Sequence, residues 1–334
     1  MDIDRQSLVE RLHGMLAAGD STSIEPGADN PNRTLAVVTA KRWRRSAQSA
    51  YSATDTNTKI ENAWESKSPL IFSVPFGGYK SWRISSSPLP NWAEVFFLDH
   101  LRNYIREVSR SYPFGVRAEL TYVSGVMDLV SNLDPGWQQT YIAAMHRLTA
   151  HYSDEQNQIS VVDIAAEAGV VDPRGEILRK YEVLKKDWSD SLSEPQLAKI
   201  SSAGRNYRPD GSRNVESMKR AIFRSAIMCD ALDSLESRRA YNKFGPRIQL
   251  VFGRQPQPAI HIGTCATSTV HFWVADGVIE QRENRLLPRM LGHTSPRQPT
   301  LKLLDVRDVR SGYDEIADLV PLTCGVFHPE QQEA

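Results

Sequence analysis

The 334-residue sequence contains no run of about 20 apolar residues, so nothing in it reads as a membrane-spanning helix. It has only three cysteines, Cys229, Cys265 and Cys324, far apart and without a Cys-x-x-Cys pair. That excludes a disulfide framework and fits reduced thiols. It has no excess of either charge, with 40 Lys and Arg against 40 Asp and Glu. A general nucleic-acid binder is therefore not expected, because phosphate affinity needs a clustered cationic surplus. Neither GxGxxG nor GxxxxGK(S/T) occurs, so no nucleotide or redox cofactor is expected. The start, MDIDRQSLVERLHGMLAAGD, is acidic and amphipathic rather than continuously apolar, unlike a signal peptide. The expected location is cytoplasmic.

What remains is an ordinary globular composition, 40% apolar and 24% charged with seven tryptophans, in a chain longer than one core usually supports. Its one dense basic cluster, KRWRR at residues 41–45, reads as a solvated surface or a structural anion contact. Leu8, Leu12, Met15 and Leu16 predict a short first helix over residues 7–18, and residues 18–34 read as a loop rich in Gly, Pro, Ser and Asn. Residues 46–62 are a surface helix or a second loop.

The order becomes clearer from residue 69. LIFSVPF is a buried-strand pattern closed by Pro75 and the pair Gly77-Gly78. Asn91 as cap, with Glu94 three residues on, opens a helix over residues 92–111 whose buried face carries Phe97, Leu101, Tyr104, Ile105 and Val108. VRAELTYVSG alternates as a strand. Strand, helix and strand make a parallel crossover unit. Asp134-Pro135 opens a further helix carrying Trp137, Tyr141, Met145 and Leu148. Helical patterns then dominate to about residue 243, and PRIQLVF, AIHIGTC and STVHFWVADG return to short strands, with Asp276-Gly277 marking a hairpin turn. The expected architecture is α/β and Rossmann-like, a mainly parallel sheet flanked by helices with a β-rich C-terminal part. An N-terminal extension covers residues 1–66, a catalytic domain residues 67–334, and a helical insert about 173–243.

The chemistry centres on SVPFGGYKSW, residues 73–82. Glycines after a strand let backbone amides face an anion, and Lys80 would supply a compact charge, at the strand end where open α/β sheets bind ligands. A glycine turn with a surface lysine is the plainer reading. Glu94 is either an active-site carboxylate or the third residue of a capping box. His261, Cys265 and His271, at even separations, raise a metal site or a thiol nucleophile, against ordinary core or surface roles. Arg247 and Arg254 bracket a strand and could clamp a carboxylate or pair on the surface. Trp273 reads as core or as a ligand platform, and His100, His146 and His151 as structural.

Residues 68–152, with PLIFSVPFGGYKSW, PLPNWAEVFFLDHLRNYIREV, SYPFGVRAELTYVSG and YIAAMHRLTAHY, resemble the isocyanide synthases of dityrosine- and pyoverdine-type biosynthesis. The resemblance puts the family's lysine at Lys80, its glutamate at Glu94, its aromatic-proline turn at Tyr112-Pro113 and its strand-closing glycine at Gly125. Departures are Asn91 for Asp, Val123-Ser124-Gly125 for Ser-Asp-Gly, and Gly253-Arg254 where His-Pro is usual. The resemblance implies an enzyme that joins an amino acid's α-amine to a pentulose phosphate such as ribulose 5-phosphate, without a redox cofactor. It implies Lys80 and Glu94 as catalytic residues, with Gly77, Gly78, Tyr79, Arg83, Ser124, Asp128, Arg247 and Arg254 about the substrate. A non-catalytic member binding a small acid or a protein, and a metal-dependent amino-acid-modifying enzyme, are the alternatives. The oligomeric state is open.

Overall fold

The computed structural model describes residues 10–12, 30–43, 53–188, 191–211, 214–239, 241, 246–252, 259–265, 268, 270–282, 285–292, 302–305 and 318–327. The expected first helix lies mostly outside the described residues, with 10–12 helical. The end of the stretch read as a loop is corrected: from Pro31 it begins helix α1, Pro31–Val38, because Asn30 accepts the Arg33 amide and Pro31 supplies a preset first turn. Helix α2 spans Ala53–Glu65.

Strand β1 is Leu70–Pro75, helix α3 Trp92–Ser109 and strand β2 Val116–Tyr122. Short α4, Met127–Ser131, precedes α5, Pro135–His151, capped by Asp134. Strand β3 is Asn157–Asp163, followed by α6, Ile164–Glu167, then α7, Pro173–Leu184, α8, Glu194–Asn206, α9, Val215–Asp233 and α10, Glu236–Arg239. Strands β4, Ile248–Val251, and β5, Ile260–His261, complete a five-stranded sheet in the order β3-β2-β1-β4-β5. Every pairing in it is parallel, with Phe72 opposite both Ala118 and Ile248. The chain therefore has an α/β, Rossmann-like fold. Strand β3 had no counterpart in the sequence reading, although Ile159 and Val161 alternate into the core.

A second sheet of β6, Ala275–Arg282, β7, Arg285–Gly292, β8, Lys302–Asp305, and β9, Thr323–Phe327, has the order β7-β6-β9-β8. Helix α3 contacts both sheets, which explains why most of its length is buried rather than one face alone. The expected turn at Asp276-Gly277 is corrected: both residues lie inside β6, and the hairpin closes where Arg282 pairs with Arg285. Gly277 is needed because β6 crosses the start of α3, where a Cβ would sit 2.2 Å from the Trp92 carbonyl carbon. Residues 272–274, expected as strand, form a 3-10 turn instead.

Helices α8 and α9, with Trp188 from the segment before α8, build a satellite core of Trp188, Ala203, Ala226 and Ile227. Trp82 Nε1 donates to the Asn206 carbonyl at the end of α8, and Arg174 of α7 donates to the Gly125 carbonyl, tying these two helices to the carboxyl side of the first sheet. Of the basic cluster, Lys41 is exposed and Arg42 pairs with Glu107, while Arg44 and Arg45 lie outside the described residues.

Candidate functional site

The strand order reverses between β1 and β4, so the crevice beyond Pro75 and Val251 is the switch point at which open α/β sheets take ligands. The chain leaving β1 runs through Phe76, Gly77 and Gly78 beneath the turn that carries His271, Phe272 and Trp273. Phe76 stacks at 5.8 Å on Phe272 and meets Trp273 edge-on at 6.1 Å. Phe252, at the end of β4, contacts His271, Phe272 and Trp273, and His271 stacks on Trp273 at 4.4 Å. These rings fill the crevice: Phe76 is 5% exposed, Phe252 4% and Trp273 8%.

The two glycines serve close approach. A Cβ on Gly77 would lie 2.6 Å from Trp273 Nε1, and one on Gly78 would lie 2.9 Å from Tyr122 Cβ. Gly78 also has φ +69, a conformation that disfavours any side chain.

Behind the rings, Lys80 and Glu94 meet in a pair with no solvent exposure on either side chain. Lys80 Nζ donates to Glu94 Oε1 at 2.9 Å and Oε2 at 2.8 Å, and to the carbonyls of Ala275 at 2.9 Å and Phe272 at 3.3 Å. Glu94 also accepts from Tyr141 Oη at 2.9 Å and from the Asn91 amide at 2.8 Å. The capping-box reading of Glu94 holds, since its carboxylate returns a bond to the Asn91 amide, and the same carboxylate also holds Lys80. Burial pushes the Glu94 carboxyl up and the Lys80 ammonium down, both toward a neutral pair, and their mutual attraction opposes it. The Trp137 indole fixes the Lys80 carbonyl at 2.7 Å, and the Ser81 amide donates to the Trp273 carbonyl at 2.8 Å, so the lysine turn and the tryptophan turn form one unit.

The other expected residues are dispersed. Tyr79 is buried beside Cys229 and Ser131, its phenol pushed up by burial. Arg83 is exposed, lies over Trp82 and donates to the Gly204 carbonyl. The Ser124 amide donates to Asp163 Oδ1 at 3.3 Å, and Asp128 pairs with Arg174 at 2.6 Å. Arg247 precedes β4, at the end opposite the crevice, paired with Glu119 at 2.6 Å and stacked over Tyr241 at 3.6 Å. Arg254 lies outside the described residues. Cys265 Sγ donates to the Pro288 carbonyl and His261 is buried in β5. Among the described residues no three His, Cys, Asp or Glu side chains gather as a metal site. Tyr141, Phe76, Phe252 and Trp137 were not read as site residues. Each carries an aromatic signal that in one dimension is indistinguishable from core.

Burial lowers His271 from 6.5 to about 4. Between those values the unfolded chain holds a proton that the folded chain does not. The stability from neutral His271 is therefore present above pH 6.5 and lost as pH falls toward 4, by about 3 kcal/mol in all. Urea unfolding of wild type and His271→Phe across this range should show the difference shrinking on acidification. Parallel curves would refute the assignment.

Fold and crevice define an α/β protein of the Rossmann-like class. Among solved structures the chain is similar to the PvcA protein from Pseudomonas aeruginosa, with a TM-score of 0.59 and 16% identity over 78% of this chain and 92% of that one. At that identity the likeness is one of fold. No family model matches the chain, and no curated protein matches it by sequence.

Proposed function

We propose that the protein is a small-molecule biosynthetic enzyme of the isocyanide-synthase type, which takes an amino acid at the switch-point crevice and acts on its α-amine, with a pentulose phosphate as co-substrate. The observation that carries this reading is the Lys80–Glu94 pair. Two residues 14 apart, at the positions the sequence resemblance picks out, meet behind the mouth of the sheet. Fold likeness to PvcA supports it. In this reading Glu94 binds the substrate ammonium and accepts its proton, since an amine attacks a carbonyl only when deprotonated. Lys80 supplies positive charge to the anionic co-substrate. Both groups are fully bonded within the protein, so the chemistry requires the Phe272–Val274 turn to move and Glu94 to exchange Lys80 or Tyr141 for substrate.

That same saturation favours a second reading, in which the chain keeps the fold and the pair is a structural clamp beneath a small-acid or protein-binding surface. Incubation with the twenty amino acids, with and without ribulose 5-phosphate, separates the two by mass spectrometry. The enzyme reading expects one amino acid to give a new product that depends on the sugar phosphate. No product, and no thermal shift with any of these compounds, would leave the clamp reading standing.

A further inference from the structure

Helices α7 and α9 leave between them a groove of about 770 Å³ on the face of the helical insert, which the crevice chemistry does not use. Its floor is Tyr181, Phe223 and Ile227, with Phe223 held edge-on against Trp188 at 5.7 Å. Leu178, one turn back on α7, extends this strip and is 37% exposed. Five cations rim it: Lys185 and Lys186 on one side, Lys219, Arg220 and Arg224 on the other. Lys185 pairs with Glu182 and Lys219 with Glu216. Lys186, Arg220 and Arg224 have no carboxylate partner among the described residues, and Arg224 lies over the Tyr181 ring at 5.7 Å. On α9 the pairs 219/223 and 220/224 are four apart, so cations and apolar floor run along one helix face.

We propose that this groove docks an acidic amphipathic helix of a partner protein. An apolar strip flanked on both sides by surplus cations is complementary to a helix with an apolar stripe between carboxylates. Nucleic acid fits less well, because the floor offers apolar contact where a phosphate backbone needs charge, and the chain as a whole is neutral.

The test uses the full chain and a fluorescein-labelled peptide of about 16 residues, with Leu at helical i, i+3, i+4 and i+7 positions and Glu elsewhere. Fluorescence anisotropy should show saturable binding that weakens with salt. In Lys186→Glu/Arg220→Glu, whose two exposed positions leave the fold intact, affinity should fall about tenfold or more. A peptide with Lys for Glu, and polyglutamate without the leucines, should bind more weakly than the probe. No binding of the probe, equal binding by the charge-reversed variant, or tighter binding of a single-stranded oligonucleotide would overturn the proposal.

Discussion

Replacing Lys80 with methionine is expected to lower the free energy of unfolding by about 3–5 kcal/mol, because Glu94 is then a carboxylate with no exposure and no counter-charge. Glu94→Gln alone should cost a similar amount by stranding the ammonium. The double variant Lys80→Met/Glu94→Gln should lose much less than the two together. Glutamine keeps one oxygen to accept from the Asn91 amide and puts its NH2 where it donates to the Tyr141 hydroxyl oxygen. The carbonyls released by Lys80 keep other donors, since Ala275 N–H reaches Phe272 O and Asn91 Nδ2 reaches Ala275 O. A coupling of about 2 kcal/mol or more is expected from urea unfolding of the four proteins. Additive losses would show that the pair does not act as a unit. Lys80→Ala, the obvious single test of catalysis, would confound lost function with lost fold.

Gly277→Ala should be nearly as damaging. The new Cβ would fall 2.2 Å from the Trp92 carbonyl carbon and 2.3 Å from the Ala93 nitrogen, both backbone atoms in the first turn of α3. Neither can yield without moving the helix start that presents Glu94. The expected loss is at or above the upper end of overpacking penalties, about 3 kcal/mol. Gly204→Ala is the control: its Cβ would meet nothing closer than 3.7 Å, and in a helix it should be neutral or slightly stabilising. Equal midpoints for the two variants in thermal unfolding would contradict the close crossing of β6 over α3.

These two sites show what a sequence makes legible. The stretch 70–122 carries its signals locally: an apolar run ended by proline and glycine, a cap with its reciprocal glutamate, a second alternating strand. Its structure follows that reading closely. Gly277 was read as a turn residue because Asp-Gly signals turns, whereas its need for a bare backbone comes from Trp92, which is distant in the chain. Lys80 is similar. Its glycine neighbours suggested a rim open to solvent, but the carbonyls of Phe272 and Ala275 close over it from 192 and 195 residues away. Strand β3 was missed because Asn157, Gln158 and Ser160 make it polar on paper. Gln158 and Ser160 fall on its exposed face, while the buried Asn157 donates to Asp154 Oδ1. The dispersal of Arg83, Asp128 and Arg247 into separate contacts had no sequence signal at all.

The most direct measurement compares product formation by the wild type and by Lys80→Met/Glu94→Gln, with near-ultraviolet circular dichroism confirming that both are folded. The wild type should give an amino-acid- and pentulose-phosphate-dependent product and the double variant none. A folded double variant that makes the same product at the wild-type rate would contradict the enzyme reading.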